Sequence, residues 1–351
     1  MNHPGPPAGD TPAATVVITN HNYERYLGAA VDSVQSQTTP CQIVVVDDGS
    51  TDGSGAVLDR LAADLGERVR VVRRPEAGGQ AAAMNTGLAE AVAPIVLFLD
   101  ADDLLDADAV AEVVAAFAAE PAAAKCQFRL GWIDGDGNPI PGGFPEPERP
   151  LPAGDLRARM AVAPDDIPWQ PTSGNAFRLE ALAPFRPIPE GPYRISADHW
   201  LSNLSALAGP VVAIEEELGR YRIHGANADH RSGFDLVRAR EILIRTGTTR
   251  AALIEYGRSL GVAMPDGPDG FRSLTTAGLR LVSLRAGPVD GTTHPHPEDR
   301  RFGLLRSGVT AALARDDLSP AHRLAALGWF VAVAIAPRRL VPTLAAKGLT
   351  R

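Results

Sequence analysis

Between Thr15 and Phe117 the chain repeats one phrase four times: a short run of β-branched and aliphatic residues, then a stretch with helical spacing. TVVIT precedes residues 26–37, QIVVV precedes 54–65, VRVVR precedes 79–91, and PIVLFL precedes 105–117. Strands of this kind have no polar face and must be covered on both sides. A helix between each successive pair makes the strands run parallel. The rhythm therefore dictates an α/β fold with a mainly parallel central sheet. After Pro121 it breaks. KCQFRLGWID reads as a strand closed by the turn Asp134-Gly-Asp-Gly-Asn138. Residues 139–171 are crowded with proline, which opposes both ladders and helices. Residues 198–208 return to helix, VVAIEEE and RYRIH read as two short strands, and from 234 the pattern is mainly helical, interrupted at 286–300.

At 351 residues the chain has room for two domains, or one large α/β domain with an extension. Its 45% hydrophobic and 22% charged residues permit a sizeable core. Residues 1–13 are Pro-, Gly- and Ala-rich and read as a flexible lead-in with no signal-peptide pattern. A formal charge of -8 argues against a nucleic-acid partner held by phosphate neutralisation. Cys41 and Cys126 cannot build a disulfide framework, which favours a reducing, cytoplasmic setting. The longest uncharged apolar run, 324–336, falls short of the ~20 residues a membrane span needs.

In an open parallel sheet, ligands bind at the carboxyl ends of the strands. After the first strand come Asn20, His21, Asn22 and Tyr23; after the second, Asp47 to Asp52; after the third, Arg73, Arg74 and Gly78-Gly79-Gln80; after the fourth, Asp100-Ala101-Asp102-Asp103. Four strands thus deliver polar clusters to one edge. Asp47-Asp48-Gly-Ser-Thr-Asp52 suits a turn and helix N-cap, or a carboxylate that meets a base or ribose. No Gly-x-Gly-x-x-Gly or P-loop pattern is present. One acid of 100–103 could cap a helix starting near Leu104. Three acids there repel one another unless a cation sits among them, and hard oxygen ligands suit Mg²⁺ or Mn²⁺. Asp134-Gly-Asp-Gly-Asn138 mimics the start of a calcium loop, but Pro139 and Pro145 stand where that loop needs Gly and Glu, so a hairpin turn is expected.

Together, VVITNHNYERYLGAAVDSVQSQ, VVVDDGSTDGS, GGQAAAMNTGL and FLDADD, in this order and spacing, resemble the family 2 glycosyltransferases of the GT-A fold, over roughly residues 14–230. PTSGNAF (171–177), SADHWL (196–201) and YRIHGAN (221–227) are similar to that family's acceptor half. The resemblance implies a GT-A domain over 14–233, with a nucleotide-sugar half (14–120) and an acceptor half (121–233), then a mainly helical extension over 234–351. It also implies inverting, metal-dependent transfer from a nucleotide diphosphate sugar, UDP-sugars favoured, to an acceptor hydroxyl in polysaccharide, glycolipid or glycoconjugate biosynthesis. Carried over by position, Thr19, Asn20, Asn22, Gly79 and Asn85 lie on the nucleotide-sugar side, and Asp47 and Asp48 meet the base or ribose. Asp100 with Ala101 faces the nucleotide sugar, while Asp102 holds Mn²⁺ or Mg²⁺ on the diphosphate. His224, matching YR-x-H, is a candidate second contact to metal or diphosphate. Asp198 matches the general base, with Ala197 where many members carry another acid. Thr172, Ser173, Gly174, Asn175 and His199 fall on the acceptor side, where Trp169 offers a face to a sugar ring. Trp200 reads as core, and His294 and His296 as residues of an exposed loop.

Two competitors remain at this level: another nucleotide-sugar enzyme such as a nucleotidyltransferase, and a catalytically silent nucleotide-sugar-binding protein. The first usually carries a Gly-rich, Arg/Lys-containing signature after the first strand, where TNHNYERY stands. Ser319-Pro320 is a good helix start. No acidic residue follows Asp317, whereas Arg323, Arg338, Arg339, Lys347 and Arg351 do. Residues 319–351 could therefore make peripheral contact with the inner face of the plasma membrane, where a lipid-linked acceptor would lie, or pack on the core with a solvated basic end.

Overall fold

All seven residues of β1 (Ala14–Asn20) are buried, as a strand without a polar face requires. The computed structural model describes residues 12–146, 148–225, 234–315 and 318–348. After β1 come α1 (Glu24–Gln35), β2 (Gln42–Asp48), α2 (Ser54–Leu65), β3 (Val69–Arg74), α3 (Gln80–Glu90) and β4 (Ile95–Asp100). α1 turns Leu27, Ala30, Val31 and Val34 inward, the three-and-four spacing of one helix face. β1 pairs in parallel with β2 and β4, and β2 with β3. The register levels the strand ends: Thr19 lies opposite Asp100, Asn20 opposite Asp47, and Asp48 opposite Arg74. Gly87 lets α3 lie hard on this sheet, since a Cβ there would meet Val17 Cγ1 at 2.2 Å.

β5 (Leu104–Leu105) follows, and α4 (Ala109–Ala119) starts later than the spacing implies because the two leucines first pair with another strand. No carboxylate of 100–103 caps it. β6 (Lys125–Ile133) and β7 (Pro139–Phe144) form an antiparallel hairpin. Its turn is closed by Asp134 Oδ1, which accepts the N–H groups of Asp136 and Asn138, each at 2.9 Å. The proline-rich stretch thus does form a strand. β7 pairs on one side only, where proline's missing donors are tolerated. α5 (Arg157–Val162), β8 (Asn175–Arg178) and α6 (Asp198–Ala208) come next. β9 (Val211–Arg222) is one strand where two were expected; its register shifts twice beside Arg129, so the break in the alternating pattern is a bulge rather than an end. The sheet order is β3-β2-β1-β4-β8-β6-β9-β5, with β7 on β6.

The described residues of Met1–Leu156 and Pro168–His230 form one compact unit, and those of Arg157–Ile167 and Arg231–Arg351 form another. The first contains the sheet. The second holds α5, α7 (Leu236–Ser259), α8 (Leu274–Ala286), α9 (Arg301–Leu313), α10 (Pro320–Ile335) and α11 (Val341–Gly348). Its core includes Leu281, Val282, Leu304, Phe330, Val333 and Val341. Part of the proline-rich stretch belongs here: Asp165 pairs with Arg250 at 2.5 Å, and Asp166 with Arg315 at 2.9 Å. His294 is not on an exposed loop as the sequence suggested. Its ring lies between Ser283 Oγ at 3.0 Å and Asp299 Oδ2 at 2.9 Å. Among the described residues, no helix is long and apolar enough to cross a membrane.

Candidate active site at the strand ends

The level ends of β1, β2 and β4 bring their polar residues into contact. At the β1–β2 end, Asn20 donates to Asp47 Oδ1 at 2.9 Å and to Ser50 Oγ at 3.1 Å. Asn22, at φ 61°, accepts the Thr51 N–H on Oδ1 at 2.7 Å. Asp48 uses both oxygens internally. Oδ1 accepts from Arg74 Nε at 2.7 Å and Gly78 N–H at 3.0 Å, and Oδ2 from Gly79 N–H at 2.7 Å. It therefore shapes the loop that leads into α3. Gly79 is required at the end of that loop: φ is +90°, and a Cβ would meet Arg194 Cα at 2.7 Å. Asn85 acts as a fastener, its amide exchanging hydrogen bonds with the backbone of Ile188 at 2.9 and 2.8 Å.

After β4, the three acids have different surroundings. Asp100 Oδ1 accepts from Thr19 Oγ1 at 3.1 Å and Gln80 Nε2 at 3.3 Å, while its N–H donates to Ser173 Oγ at 3.1 Å. Burial, then the charges of Asp102 and Asp198, push its carboxyl up to about 7. Ala101 is fully buried, and its N–H donates to Thr19 O at 3.1 Å. Asp102 points its Oδ2 at His224 Nε2, 3.0 Å away. The imidazole stacks near Tyr26 and meets Tyr23 edge-on, with centroids 5.1 and 5.8 Å apart. Tyr23 also hydrogen-bonds Asp102; burial first, then that carboxylate's charge, raise its phenol. Asp103 is sealed beneath, accepting Ser173 Oγ at 2.6 Å and Arg222 N–H at 2.9 Å, and burial holds its carboxyl well above the usual range. Arg222 Nε donates to Asp102 O at 2.7 Å.

Asp198 is the first residue of α6 and is buried. Its charge is felt at Asp100 and at the buried amine of Lys125. The link between Asp198's helix and the strand ends is Gln80, which the motif reading left unassigned. Its Oε1 accepts the Ala197 N–H at 2.8 Å, and its Nε2 donates to Thr172 Oγ1 at 2.9 Å as well as to Asp100. Spacing offered one cue: Gln80 directly follows the Gly-Gly pair that opens α3. Ser173 and Arg222 were likewise missed as partners of the acids, because contacts across 70 and 119 positions of sequence leave no local signature.

The residues that the sequence assigns to the acceptor side divide. Ser173 meets the acids directly, and Thr172 is linked to Asp100 through Gln80. Gly174 and Asn175 build the turn before β8, where Asn175 Nδ2 donates to Pro171 O at 2.7 Å and a Cβ on Gly174 would meet Phe128 O at 3.0 Å. His199 is exposed and gives its carbonyl to Asn203. Trp169 Nε1 donates to Asn203 Oδ1 at 3.2 Å, and its ring lies over Lys125 Nζ at 4.6 Å. Trp200 is core, donating to Phe185 O at 2.9 Å.

The donor set near Asp102 is suited to a divalent ion. A carboxylate oxygen and an imidazole nitrogen stand side by side, with further acids behind them. Among the described residues no three His, Cys, Asp or Glu side chains form a complete cage, so substrate phosphates would have to supply the other ligands.

The family description "Glycosyl transferase family 2" matches residues 15–182. An uncharacterized glycosyltransferase of Nostoc, alr2836, is 33% identical over 234 residues, 66% of this chain and 71% of that one. The GT-A fold is shared with S. aureus TarS 1-349 solved with UDP-GlcNAc, at TM-score 0.57 and 15% identity over 95% of this chain and 92% of that one. It is also shared with the mannosyltransferase PcManGT of Pyrobaculum calidifontis in complex with GDP-Man and Mn²⁺, at TM-score 0.52 and 17% identity over 97% and 88%. With its four strand-end clusters inside the matched region, this chain is a glycosyltransferase and belongs to glycosyl transferase family 2.

Proposed function

We propose that the chain is an inverting, divalent-metal-dependent glycosyltransferase that moves a sugar from a nucleotide diphosphate sugar, UDP-sugars first, to a hydroxyl of a carbohydrate or lipid-linked acceptor. The observation that carries this reading is the Gln80 bridge, which links Asp100 after β4 to the amide just before Asp198. The UDP-GlcNAc and GDP-Man bound by the two structural neighbours support a nucleotide diphosphate sugar donor, and the Mn²⁺ bound by one of them supports a divalent metal. We read residues 14–233 as the transferase domain, divided near 120 into donor and acceptor halves, and 234–351 as its helical extension.

Asp102 and His224 would hold Mn²⁺ or Mg²⁺ together with the diphosphate. The ion, when bound, stabilises the charge that develops on the departing nucleotide. Asn20, Asn22 and the Asp47–Asp48 loop shape the nucleoside end. Asp100, kept in place by Thr19 and Gln80, orients the donor sugar. Asp198 takes the proton from the attacking hydroxyl, and a single displacement from the face opposite the diphosphate inverts the anomeric carbon. Thr172, His199 and Trp169 lie on the acceptor side. The two buried, free thiols suit a reducing cytoplasmic setting.

The test is a melting-temperature screen of UDP-, GDP- and TDP-sugars with and without Mn²⁺, followed by NMR of the product's anomeric configuration with the donor that binds. A UDP-sugar that raises the melting temperature only with Mn²⁺ and gives inverted product is expected. Retained configuration overturns the single-displacement mechanism. Tight binding without turnover of any donor would make the chain a silent binding protein.

A further inference from the structure

α10 is apolar on both of its faces. Phe330, Val333 and Ala334 enter the core of the helical unit, which accounts for one face. The opposite face carries Ala321, Leu324, Ala325, Gly328, Val331 and Ile335, all exposed. Leu324 is 71% exposed, Ile335 67% and Val331 44%. No charged residue occurs from 324 to 337. A surface helix ordinarily puts charged or polar residues on its solvent side, and one that is hydrophobic all round is covered all round. The outer face of α10 therefore calls for a cover.

Charge identifies the cover. Directly past the helix, Arg338 and Arg339 are exposed, Leu340 is 47% exposed between them and α11, and Lys347 is exposed on α11. Among the described residues none of these three cations forms an ion pair, and residues 318–348 contain no Asp or Glu. A second copy docked by the same face would add the same basic segment, which has no acid to pair with it in any orientation. A bilayer offers the matching chemistry: acyl chains for the apolar side chains and anionic headgroups for the arginines and lysine. We infer that the outer face of α10, with Arg338, Arg339 and Lys347, rests on an anionic lipid surface. This deepens the reading of a lipid-linked acceptor, but vesicle binding is read without turnover. Failure of one therefore leaves the other standing.

The experiment is flotation of the full chain with vesicles of phosphatidylcholine alone and of phosphatidylcholine mixed with phosphatidylglycerol. Flotation with the anionic vesicles only, weakened by salt, is expected. The pair Leu324→Ser with Ile335→Ser and the pair Arg338→Glu with Arg339→Glu should each weaken binding about tenfold or more. All four side chains are exposed, so the variants should keep the wild-type melting temperature, which is measured alongside. Absence of flotation, or flotation of both variant pairs as wild type, overturns the inference. So does a concentration-dependent dimer in light scattering that the Leu324/Ile335 pair dissociates, which would assign the face to a second copy.

Discussion

Gln80 and Ala197 are joined by a 2.8 Å hydrogen bond from the Ala197 N–H to the Gln80 side-chain oxygen. The same amide reaches Thr172 at 2.9 Å and Asp100 at 3.3 Å, so one side chain sets the spacing between the β4 acids and the helix that begins with Asp198. Each such bond is worth about 1 kcal/mol, and placement errors in a reacting pair cost more than that in rate. Gln80→Ala should lower kcat roughly 10- to 100-fold with little change in donor KM. Gln80→Glu should be worse, since it sets another carboxylate beside Asp100. Steady-state kinetics decide; wild-type kcat in Gln80→Ala would mean that the bridge is only structural.

In the proposed metal site Asp102 and His224 would supply two donors where a tight site needs more, so the ion should bind weakly without nucleotide. Calorimetry should show UDP binding strengthened about tenfold or more by Mn²⁺ in the wild type. Asp102→Ala should erase that enhancement and His224→Ala reduce it, while chelation should stop transfer. An Asp102→Ala protein with unchanged Mn²⁺-dependent UDP affinity would sink the metal assignment.

Asp198→Asn keeps size and most hydrogen-bonding capacity but cannot take a proton. Donor affinity should stay near wild type while transfer falls by a factor on the order of 10² to 10⁴, the usual worth of a general base. Residual activity near wild type would place the base elsewhere.

The parallel half of the fold was legible because buried parallel strands leave uninterrupted apolar runs, as in QIVVV and PIVLFL. β7 was hidden by its prolines, which an edge strand tolerates, and β9 was read as two strands because of the bulge that broke its alternation. At the site, Asp100, Asp102 and Asp198 stood out through local motifs. Gln80 and Arg222 did not, since each acts through contacts with residues distant in sequence, and Ser173 stood out only as an acceptor-side residue rather than as a partner of the acids. Asn85 and Asp48 show the converse: a motif residue can match a family pattern and spend its hydrogen bonds on the scaffold.

Lys125 is fully buried, donates to Gln127 Oε1 at 2.8 Å, and is pulled down to about 7 by burial. A lysine in the unfolded chain titrates near ~10.4. Between about pH 7 and 10 the unfolded chain therefore holds a proton that the folded one does not, and stability rises with pH through that window. Below about pH 7 both states are protonated and the full burial penalty applies. Lys125→Met removes the titration, so wild type should gain stability relative to the variant as pH rises from about 7 to about 10. Urea melts across that range check this; a constant difference between the two proteins would mean that the amine stays charged in its pocket.

Asp166 ties the short segment 157–167 into the helical unit. Its side chain is 1% exposed and accepts from Ser273 Oγ at 2.8 Å, Leu274 N–H at 2.8 Å and Thr275 N–H at 3.0 Å, besides pairing with Arg315. It thus fills donors at the start of α8 and neutralises a largely buried guanidinium with one group. Asp166→Ala takes this acceptor from the α8 N–H groups and this carboxylate from Arg315, at a cost of about 3–5 kcal/mol, whereas Asp166→Asn keeps some of the acceptor function and should cost less. Denaturant melts of the three proteins separate the two contributions. A loss below about 1 kcal/mol in Asp166→Ala would mean that Arg315 and the α8 N–H groups are satisfied by water. Segment 157–167 would then be a passive crossing of the chain rather than a fastener of the helical unit.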